Sequence, residues 1–395
     1  MQGILTKFND AFDYLPLPYV MDFMKDDANT LEVQQGLDLL VVPCKGFTLP
    51  VDKEKVLANG IVSEKYADRI LDELRWQLPN IQTIYKNDLM ILDMVANFDW
   101  NRSIYFGSST DRRTFLGLNK YFFSEGLVYK FVPIETVPSR NPNTLGEVNT
   151  DALYANLMEK FSWGNMNVEG VLVDYYSQRL TNNYRVQFSV LADAYVELIE
   201  QEKQKLNIMQ QIAKAEHENP DAPIPTQFGT FIPSEVPSET KKSEAIIADA
   251  QTKINEVLDR AFEVMPHVNV PFKKVIPSYI STYYQAENEE KAQLYTNQMF
   301  DLYEEELNYY FDIDPKFSSL MIDDMFNTYR SIFSLFQSAT VYSKDVAFQE
   351  EMNARFDAIN VKVQAGTNNI RRENSATDKK IQQTFDAFFD RFKDL

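Results

Sequence analysis

A punctuated stretch at residues 135–149, ETVPSRNPNTLGEVN, separates two parts of this sequence that differ in their hydrophobic pattern. Its prolines and its glycine interrupt regular secondary structure and favour turns. Short apolar runs of strand length alternate with helical patterns before it, whereas helical spacing dominates after it. A chain of 395 residues also exceeds the size at which a single hydrophobic core stops growing. The sequence therefore predicts two or more domains, with a boundary in this stretch.

The first part predicts a small α/β domain over residues 51–140. Strands are expected where apolar, β-branched and aromatic residues form short runs, at residues 37–43, 47–51, 103–106 and 127–134. Helices are expected where apolar residues recur every three or four positions, at residues 56–60, 63–76, 88–98 and 114–124. Because helices and strands alternate along the chain, neighbouring parallel strands are expected.

The second part predicts a helical domain over residues 150–345, followed by C-terminal helices over residues 346–395. The helices of this domain are expected at residues 150–161, 186–217, 243–265, 272–285, 288–310 and 316–342. Two more helices are expected in the last fifty residues, on either side of the polar stretch 366–377; the second, 379–393, carries an apolar stripe that requires a partner surface. Five of the 17 prolines lie in residues 218–242, which predicts an exposed loop.

Fragments of the helical part resemble a repeat. Ala261, followed five residues later by Pro266, matches the end of a tetratricopeptide (TPR) unit, and residues 283–299 loosely match the middle of another. The loop at 218–242 interrupts this period, so an irregular helical bundle is the alternative. The predicted fold class is α+β and mostly α, with a small N-terminal α/β unit followed by TPR-like helical hairpins.

The composition excludes several kinds of chemistry. The net charge of −19 repels phosphates and anionic lipids, so no nucleic-acid partner is expected. The single cysteine, Cys44, excludes an internal disulfide framework and a cysteine-based zinc cluster, and the two histidines, His217 and His267, argue against a multi-histidine metal site. No apolar run is long enough to span a bilayer or to serve as the core of a secretory signal. We expect no cofactor and no metal.

Two motifs resemble ligand sites, although each has a structural explanation. Asp312 and Asp314 form the D-x-D pattern that holds a metal in many sugar-nucleotide transferases, yet Asp314 precedes Pro315 as a helix cap does. Residues 107–111, GSSTD, lie between a predicted strand and a predicted helix, a geometry that presents amide groups to an anion. The candidate residues of this anion site are Ser108, Ser109, Thr110, Arg112 and Arg113. No catalytic residue is predicted, because none of these residues forms an evident catalytic set.

Tyrosines crowd the helices predicted between residues 272 and 311. Their helical spacing is typical of packing residues. A tyrosine also keeps its hydroxyl in water while its ring is buried, so an exposed cluster suits contact with a peptide or a glycan. The candidate partner surface consists of Tyr279, Tyr283 and Tyr295, which are then expected to lie exposed on one concave face.

Four stretches occur together in a recognisable order: DLMILDMVANFDWNRSIYF (88–106), GLVYKFVPIET (126–136), VNTDALYANLMEKFSWGNM (148–166) and YEEELNYYF (303–311). They resemble the C-terminal, extracytoplasmic part of a Bacteroidota family of large polytopic membrane proteins, catalogued as a domain of unknown function. The membrane region of that family is similar to protein O-mannosyltransferases, whose catalytic carboxylates lie between membrane helices, so no catalytic residue has a counterpart here. The resemblance implies that residues 1–50 are a membrane-proximal linker segment.

The resemblance also implies a function. The chain is expected to be a soluble accessory region of a membrane glycosyltransferase-like protein, not itself catalytic, that binds or orients a protein or glycoprotein acceptor or an envelope partner. Its implied location is the periplasmic face of the inner membrane, with membrane contact only through an N-terminal membrane region missing from this sequence. A free-standing, cytoplasmic TPR-like scaffold is the alternative, because stacked helical hairpins form concave binding surfaces. An autonomous enzyme of unknown class is the second alternative.

Overall fold

The computed structural model describes residues 4–5, 13–26, 28–34, 37–78, 83–215, 219–272 and 275–373, together with residue 383. The chain forms two compact units, Met1–Phe161 and Ser162–Leu395. The first unit contains short strands and helices and the second is mostly helical, which confirms the mixed α+β, mostly α fold class. Because the division follows Phe161, the helix predicted at 150–161 belongs to the first unit.

The regular elements described in the first unit are short. Its strands are β1 Ile4–Leu5, β2 Tyr14–Pro16, β3 Thr30–Gln34, β4 Leu37–Leu40, β5 Gly46–Pro50, β6 Glu73–Gln77, β7 Thr83–Ile84, β8 Ile104–Gly107, β9 Phe122–Ser124, β10 Val128–Phe131 and β11 Glu147–Val148. Its helices are α1 Leu17–Phe23, α2 Lys53–Ala58, α3 Lys86–Asn97 and α4 Thr150–Ala155. The predicted strands at 103–106 and 127–134 and the helix at 88–98 are confirmed as β8, β10 and α3.

Two small sheets organise this unit. One has the order β2-β5-β6, with β2 parallel and β6 antiparallel to β5. The other has the order β11-β9-β10-β8, in which β8, β10 and β9 are antiparallel and β11 is parallel to β9. Strands β1 and β7 and strands β3 and β4 form two further antiparallel pairs. The expectation of parallel pairing is wrong for β8 and β10, because no crossover helix connects them and β9 turns directly into β10.

The helix predicted at 63–76 is wrong, because its last residues form an edge strand. Within β6, Leu74 and Trp76 are buried between exposed neighbours, which is the two-residue period of a strand. The backbone of Arg75 pairs with the hydroxyl of Tyr121, which donates to the carbonyl at 2.8 Å and accepts from the amide at 2.9 Å. A side chain thereby satisfies backbone groups at the edge of the sheet.

The helix predicted at 114–124 is also wrong. Leu116 and Gly117 adopt positive φ angles of 51° and 84°, so the segment breaks into two 3₁₀ turns before β9 begins. Gly146 has a φ of 66°, and a Cβ built there would lie 2.0 Å from the carbonyl oxygen of Phe122. Only a glycine therefore allows the chain to approach β9 so closely at this point.

The core of the first unit includes part of the segment expected to be a linker. Leu17 of α1 and Phe47 of β5 are buried in the same apolar cluster as Leu74 and Trp76. The rings of Phe47 and Trp76 lie 5.5 Å apart between centroids. Elements α1 and β5 therefore fold as part of this unit, because burial of their apolar side chains stabilises it.

The second unit is built from helices of unequal length and one β-hairpin. Its helices are α5 Tyr175–Lys214, α6 Val236–Val264, α7 Ile276–Gln285, α8 Glu289–Asp312, α9 Pro315–Ser318, α10 Ile322–Tyr342 and α11 Val346–Glu373, and its strands are β12 Ile224–Thr226 and β13 Gly229–Phe231. Helices α5 and α6 form a long hairpin, α7, α8 and α10 pack together, and α11 packs against α8 and α10. Helix α5 alone has 40 residues. This exceeds a whole TPR unit of about 34 residues, so the repeat period does not extend over this hairpin.

Most of the described part of the loop predicted at 218–242 has regular structure. Strands β12 and β13 pair as a hairpin, and α6 already begins at Val236 with a proline in its first turn, where no amide donor is needed. Phe231 and Val236 are buried against Met209 and Ile212 of α5. The prediction of an exposed loop is therefore wrong for these residues, because an apolar anchor holds the hairpin against the helix.

Helix α11 continues through the start of the polar stretch 366–377, which was expected to separate two helices. Gly366 lies inside it, and a Cβ built there would approach the ring of Phe311 to 2.2 Å. The glycine therefore allows α11 to pack closely on α8, and this contact favours the helix despite the low helix propensity of the residue. The helix predicted at 379–393 lies outside the described residues, apart from residue 383.

Candidate functional site

A cavity of about 400 Å³ lies within the second unit, among α5, α8, α10 and the segment that leads into α7. The described residues that line it are Arg179, Asn182, Phe272, Tyr303, Glu306, Asp324, Asn327, Thr328 and Ser331. The cavity opens to the surface, where its three charged residues are exposed. Its volume falls within the range of about 300–1,000 Å³ that is typical of small-molecule sites. Polar side chains form most of the lining.

Tyr303 is the most buried aromatic side chain of the cavity. It is 8% exposed, and its hydroxyl makes no hydrogen bond within the described part of the chain. Burial raises the pKa of Tyr303 to about 12, an effect that the nearby hydroxyl of Ser331 opposes. Ser331 donates its own proton to the carbonyl of Asn327 at 2.9 Å. The Tyr303 hydroxyl is therefore neutral at physiological pH and is itself buried beside Ser331.

Two carboxylates form an acidic side of the cavity. Glu306 lies three residues after Tyr303 and therefore projects from the same face of α8. Asp324 lies in the first turn of α10, where the helix dipole favours a negative charge. The hydroxyl of Tyr310 donates to Oε1 of Glu306 at 2.9 Å. Burial raises the pKa of Tyr310, and Glu306 and Asp324 raise it further, which indicates that both carboxylates lie close to this hydroxyl.

Phe272 forms an aromatic wall of the cavity. Its amide donates to Nδ1 of His267 at 3.0 Å, and the His267 ring packs against the Phe272 ring at 4.7 Å between centroids. Burial lowers the pKa of His267, and the charge of Arg185 lowers it further. His267 is therefore neutral at pH 7 and accepts this hydrogen bond, which holds the backbone at Phe272 in place.

Arg185 of α5 is a buried cation that no motif in the sequence indicated. It is 2% exposed. Its guanidinium donates to the carbonyls of Val270 and Pro271 at 2.6 Å and of Met265 at 2.8 Å. Burial lowers the pKa of Arg185 to about 10, so the side chain is still charged at neutral pH. These three hydrogen bonds fix the connection between α6 and α7, which carries Phe272.

The prediction of an exposed tyrosine surface is wrong for two of its three residues. Tyr279 and Tyr283 are 1% and 0% exposed. The Tyr279 hydroxyl donates to a backbone carbonyl of α5, and the Tyr283 hydroxyl donates to the carboxylate of Asp259 at 2.8 Å. Tyr295 is half-buried and stacks on Phe262, with the ring centroids 3.9 Å apart. Tyr279 and Tyr283 are packing residues, because each buries its ring and also finds a partner for its hydroxyl.

The anion site predicted around residues 107–113 stays a prediction, but three of its backbone amides already have partners. The amides of Ser108 and Thr110 donate to backbone carbonyls, and the amide of Arg113 donates to the carboxylate of Asp111 at 2.9 Å. The helix expected after this loop is a 3₁₀ turn of four residues. These amides already have partners within the chain, so they are not available to an anion.

The remaining sequence motifs have structural roles. The Asp314 carboxylate accepts a hydrogen bond from the amide of Lys316 at 2.9 Å and caps α9, as its position before a proline predicts. Cys44 is buried, and burial raises the pKa of its thiol to about 11, which makes it unreactive at neutral pH. His217 lies outside the described residues. Within the part of the chain that the structure describes, no group of three or more histidine, cysteine, aspartate or glutamate residues could hold a metal ion.

The two carboxylates of the cavity lie on different helices, and neither helix taken alone indicates a site. Residues 304–306 and 323–324 look like solvated helix faces, and Glu306 and Asp324 are indeed exposed. Only the packing of α8 against α10 brings them to the same cavity as Tyr303. The local signal was the Tyr-x-x-Glu spacing on α8, which is too common to predict a site.

Comparisons with known proteins bear on the first unit. Residues 2–152 match a family model described as TMEM260-associated domain 2. The match covers less than half of the chain, and the cavity of the second unit lies outside it. No curated protein and no solved structure matches the chain. Among the described residues, no helix is both long enough and apolar enough to cross a membrane. Over its first unit, the chain is thus similar to a domain associated with TMEM260.

Proposed function

We propose that this chain is a non-catalytic accessory region of a membrane glycosyltransferase-like protein, in which it binds or orients a protein or glycoprotein acceptor or an envelope partner. The match of residues 2–152 supports the proposal most directly, because the matched family is linked to a membrane protein. The stretches at 88–106 and 126–136, which carry the resemblance noted in the sequence, lie inside the matched segment. The proposed location is the periplasmic face of the inner membrane.

The second unit has two features that suit a binding role. One is the polar cavity among α5, α8 and α10. The other is a group of apolar side chains at and just before the start of α5 that are between 63% and 91% exposed: Leu172, Tyr175, Tyr176 and Leu180. Exposed apolar residues that cluster in this way are typical of contact surfaces.

Capture from native envelope extract tests the proposal. The full chain is immobilised and exposed to detergent-solubilised envelope proteins, and the retained proteins are identified by mass spectrometry. We expect a polytopic membrane protein or an envelope glycoprotein to be retained, and we expect Leu172→Asp combined with Tyr176→Asp to retain less of it. The matched control combines Leu294→Asp with Val361→Asp, which places the same two charges at apolar residues of α8 and α11 that are 51% and 68% exposed. Retention of cytoplasmic proteins alone, or equal loss in the control, would contradict the proposal.

The proposal also predicts the result of an activity assay. The isolated chain should transfer no sugar from lipid-linked or nucleotide donors. Turnover that disappears when Asp312→Ala and Asp314→Ala are combined would refute the non-catalytic role, and would assign the D-x-D motif to a metal instead of to the cap of α9.

A further inference from the structure

We infer that residues 379–393 fold back as an amphipathic helix and dock on an exposed apolar face beside the end of α11. Phe317 and Leu320 form this face, which we call the α9 face. It belongs to the second unit and lies outside the segment that matches the TMEM260-associated domain. The inference does not depend on the proposed function, because both sides of the contact belong to this chain.

The α9 face presents two large apolar side chains to solvent. Phe317 is 61% exposed and Leu320 is 81% exposed. Phe317 belongs to α9, and Leu320 follows three residues later in a 3₁₀ turn, so both side chains project from the same side of the chain. An element that covers them removes their apolar surface from water, which stabilises the covered state.

Residues 379–393 carry the matching apolar surface. Five apolar residues share one side of a helix, within an arc of about 100° at 3.6 residues per turn: Ile381, Phe385, Phe388, Phe389 and Phe392. Gln383 is the one residue of this segment that the structure describes, and it is helical and exposed. Its place in the sequence puts it on the opposite side of the helix from the apolar stripe, as expected when the stripe faces the protein.

Helix α11 leads the chain to the α9 face. Arg355 near its start pairs with Asp301 of α8 at 2.6 Å, and Gly366 near its end lies against Phe311 in the last turn of α8. The two helices therefore run side by side in the same direction. Helix α11 also packs against α9, and it ends at Glu373. The chain thus leaves α11 beside the element that carries the α9 face.

The connection to residues 379–393 is short. Five residues, 374–378, follow α11 and span at most about 17 Å when they are fully extended. A helix of fifteen residues is about 22 Å long, which is enough to cover both side chains of the α9 face. Because the segment is tethered next to this face, its effective concentration there exceeds that of a separate partner.

Charge favours the same occupant. Residues 312–324, which contain the α9 face, carry four acidic residues and one basic residue: Asp312, Asp314, Asp323, Asp324 and Lys316. Residues 379–393 carry four basic and two acidic residues. When the apolar stripe faces the protein, Lys380 and Arg391 lie along one edge of it, where they can approach these carboxylates. A second copy of the chain, with its net charge of −19, would instead be repelled.

Paired cysteines test the contact. The full chain carrying Met321→Cys and Thr384→Cys is treated with a short bis-maleimide, and the products are resolved by denaturing electrophoresis and mass spectrometry. Met321 is half-buried next to Leu320, and Thr384 lies at the edge of the apolar stripe, so both apolar surfaces stay complete. We expect a cross-link within one chain in most molecules. The native Cys44 does not compete, because it is buried and burial raises the pKa of its thiol to about 11.

The matched control combines Thr384→Cys with Leu294→Cys. Leu294 is 51% exposed and lies eighteen residues before the end of α8, which corresponds to about 27 Å along the helix. This pair should give little cross-link within one chain. In a further variant, Phe385→Asp and Phe389→Asp are added to the first pair. These charges should abolish the cross-link, while circular dichroism should show the helix content of the parent outside the segment.

Several outcomes would overturn the inference. Absence of the cross-link in the first pair, or an equal yield in the control pair, would show that the segment does not dock on the α9 face. A cross-link that joins two chains would assign the apolar stripe to a second copy. Sedimentation of the chain with phosphatidylcholine vesicles, lost when Phe385→Asp and Phe389→Asp are combined, would assign the stripe to a lipid surface.

Discussion

Replacing Arg185 by methionine is the sharpest test of how the second unit is held together. Methionine keeps a long, unbranched side chain for packing but has no hydrogen-bond donor. The substitution therefore removes the three hydrogen bonds to the carbonyls of Met265, Val270 and Pro271. The connection between α6 and α7 then loses its anchor on α5.

The size of the effect follows from where the three carbonyls lie. Pro271 is exposed, so water replaces the lost bond there. Met265 and Val270 are 0% and 1% exposed, and their bonds to Arg185 are buried. Leaving a buried acceptor without a partner costs about 1–3 kcal/mol, so we expect Arg185→Met to lower the free energy of unfolding by about 2–6 kcal/mol.

Urea denaturation followed by circular dichroism measures this loss, and thermal melting gives an independent check. For a unit of this size, each kcal/mol corresponds to roughly 2–4 °C, so the melting temperature should fall by at least about 4 °C. The control is Arg179→Met on the same helix, where the side chain is exposed and the expected change is under about 0.5 kcal/mol. Equal stability of the two variants would refute the role assigned to Arg185.

Three further predictions concern other parts of the fold. The free energy of unfolding should fall as the pH rises from 10 towards 12. Tyrosines in the unfolded chain lose their protons at the ordinary pKa of 10.0, whereas burial raises the pKa of three tyrosines in the folded chain to about 12. Urea midpoints on either side of pH 10 measure this loss, and a pH-independent midpoint would contradict it. The tyrosines concerned are Tyr284, Tyr303 and Tyr329. Phe231→Ala should lower the free energy of unfolding by about 3 kcal/mol and speed proteolysis of the β12–β13 hairpin, because the Phe231 ring anchors the hairpin to α5. Unchanged proteolysis would show that the hairpin is not anchored there. Gly146→Ala should destabilise the chain more than Gly60→Ala. Both glycines have a positive φ, but only a Cβ at residue 146 would meet the carbonyl of Phe122. Equal melting temperatures of the two variants would rule out that contact.

Local sequence patterns were sufficient for much of the second unit. Apolar residues at helical spacing predicted α8 with boundaries close to those observed and α10 with its observed end, because a helix that buries one face leaves that period in its own sequence. The helix cap at Asp314 could likewise be predicted from the sequence, since the capping carboxylate and the amide that it binds are only two residues apart. The same locality explains the prediction of a mostly helical fold.

Predictions failed where a distant residue decided the conformation. Residues 73–77 form a strand because β5 pairs with them, although residues 66, 70 and 74 had shown a helical period. Gly366 stays inside α11 because Phe311 of α8 packs against it. In each case the partner lies many residues away, and neither periodicity nor propensity within a short window contains that contact.

The hydrophobic pattern of the sequence was enough to predict a mixed part followed by a helical part, and the residue types show which positions can supply charge and hydroxyl groups. Which of these groups meet depends on how the elements pack in the folded protein. Helix packing buries Tyr279, Tyr283 and Tyr303, but only Tyr303 is among the residues that line the cavity, although all three lie on neighbouring helices with similar patterns. The physical reason is that helical spacing fixes the direction of a side chain relative to its own helix, whereas burial and hydrogen bonding depend on the helices packed against it.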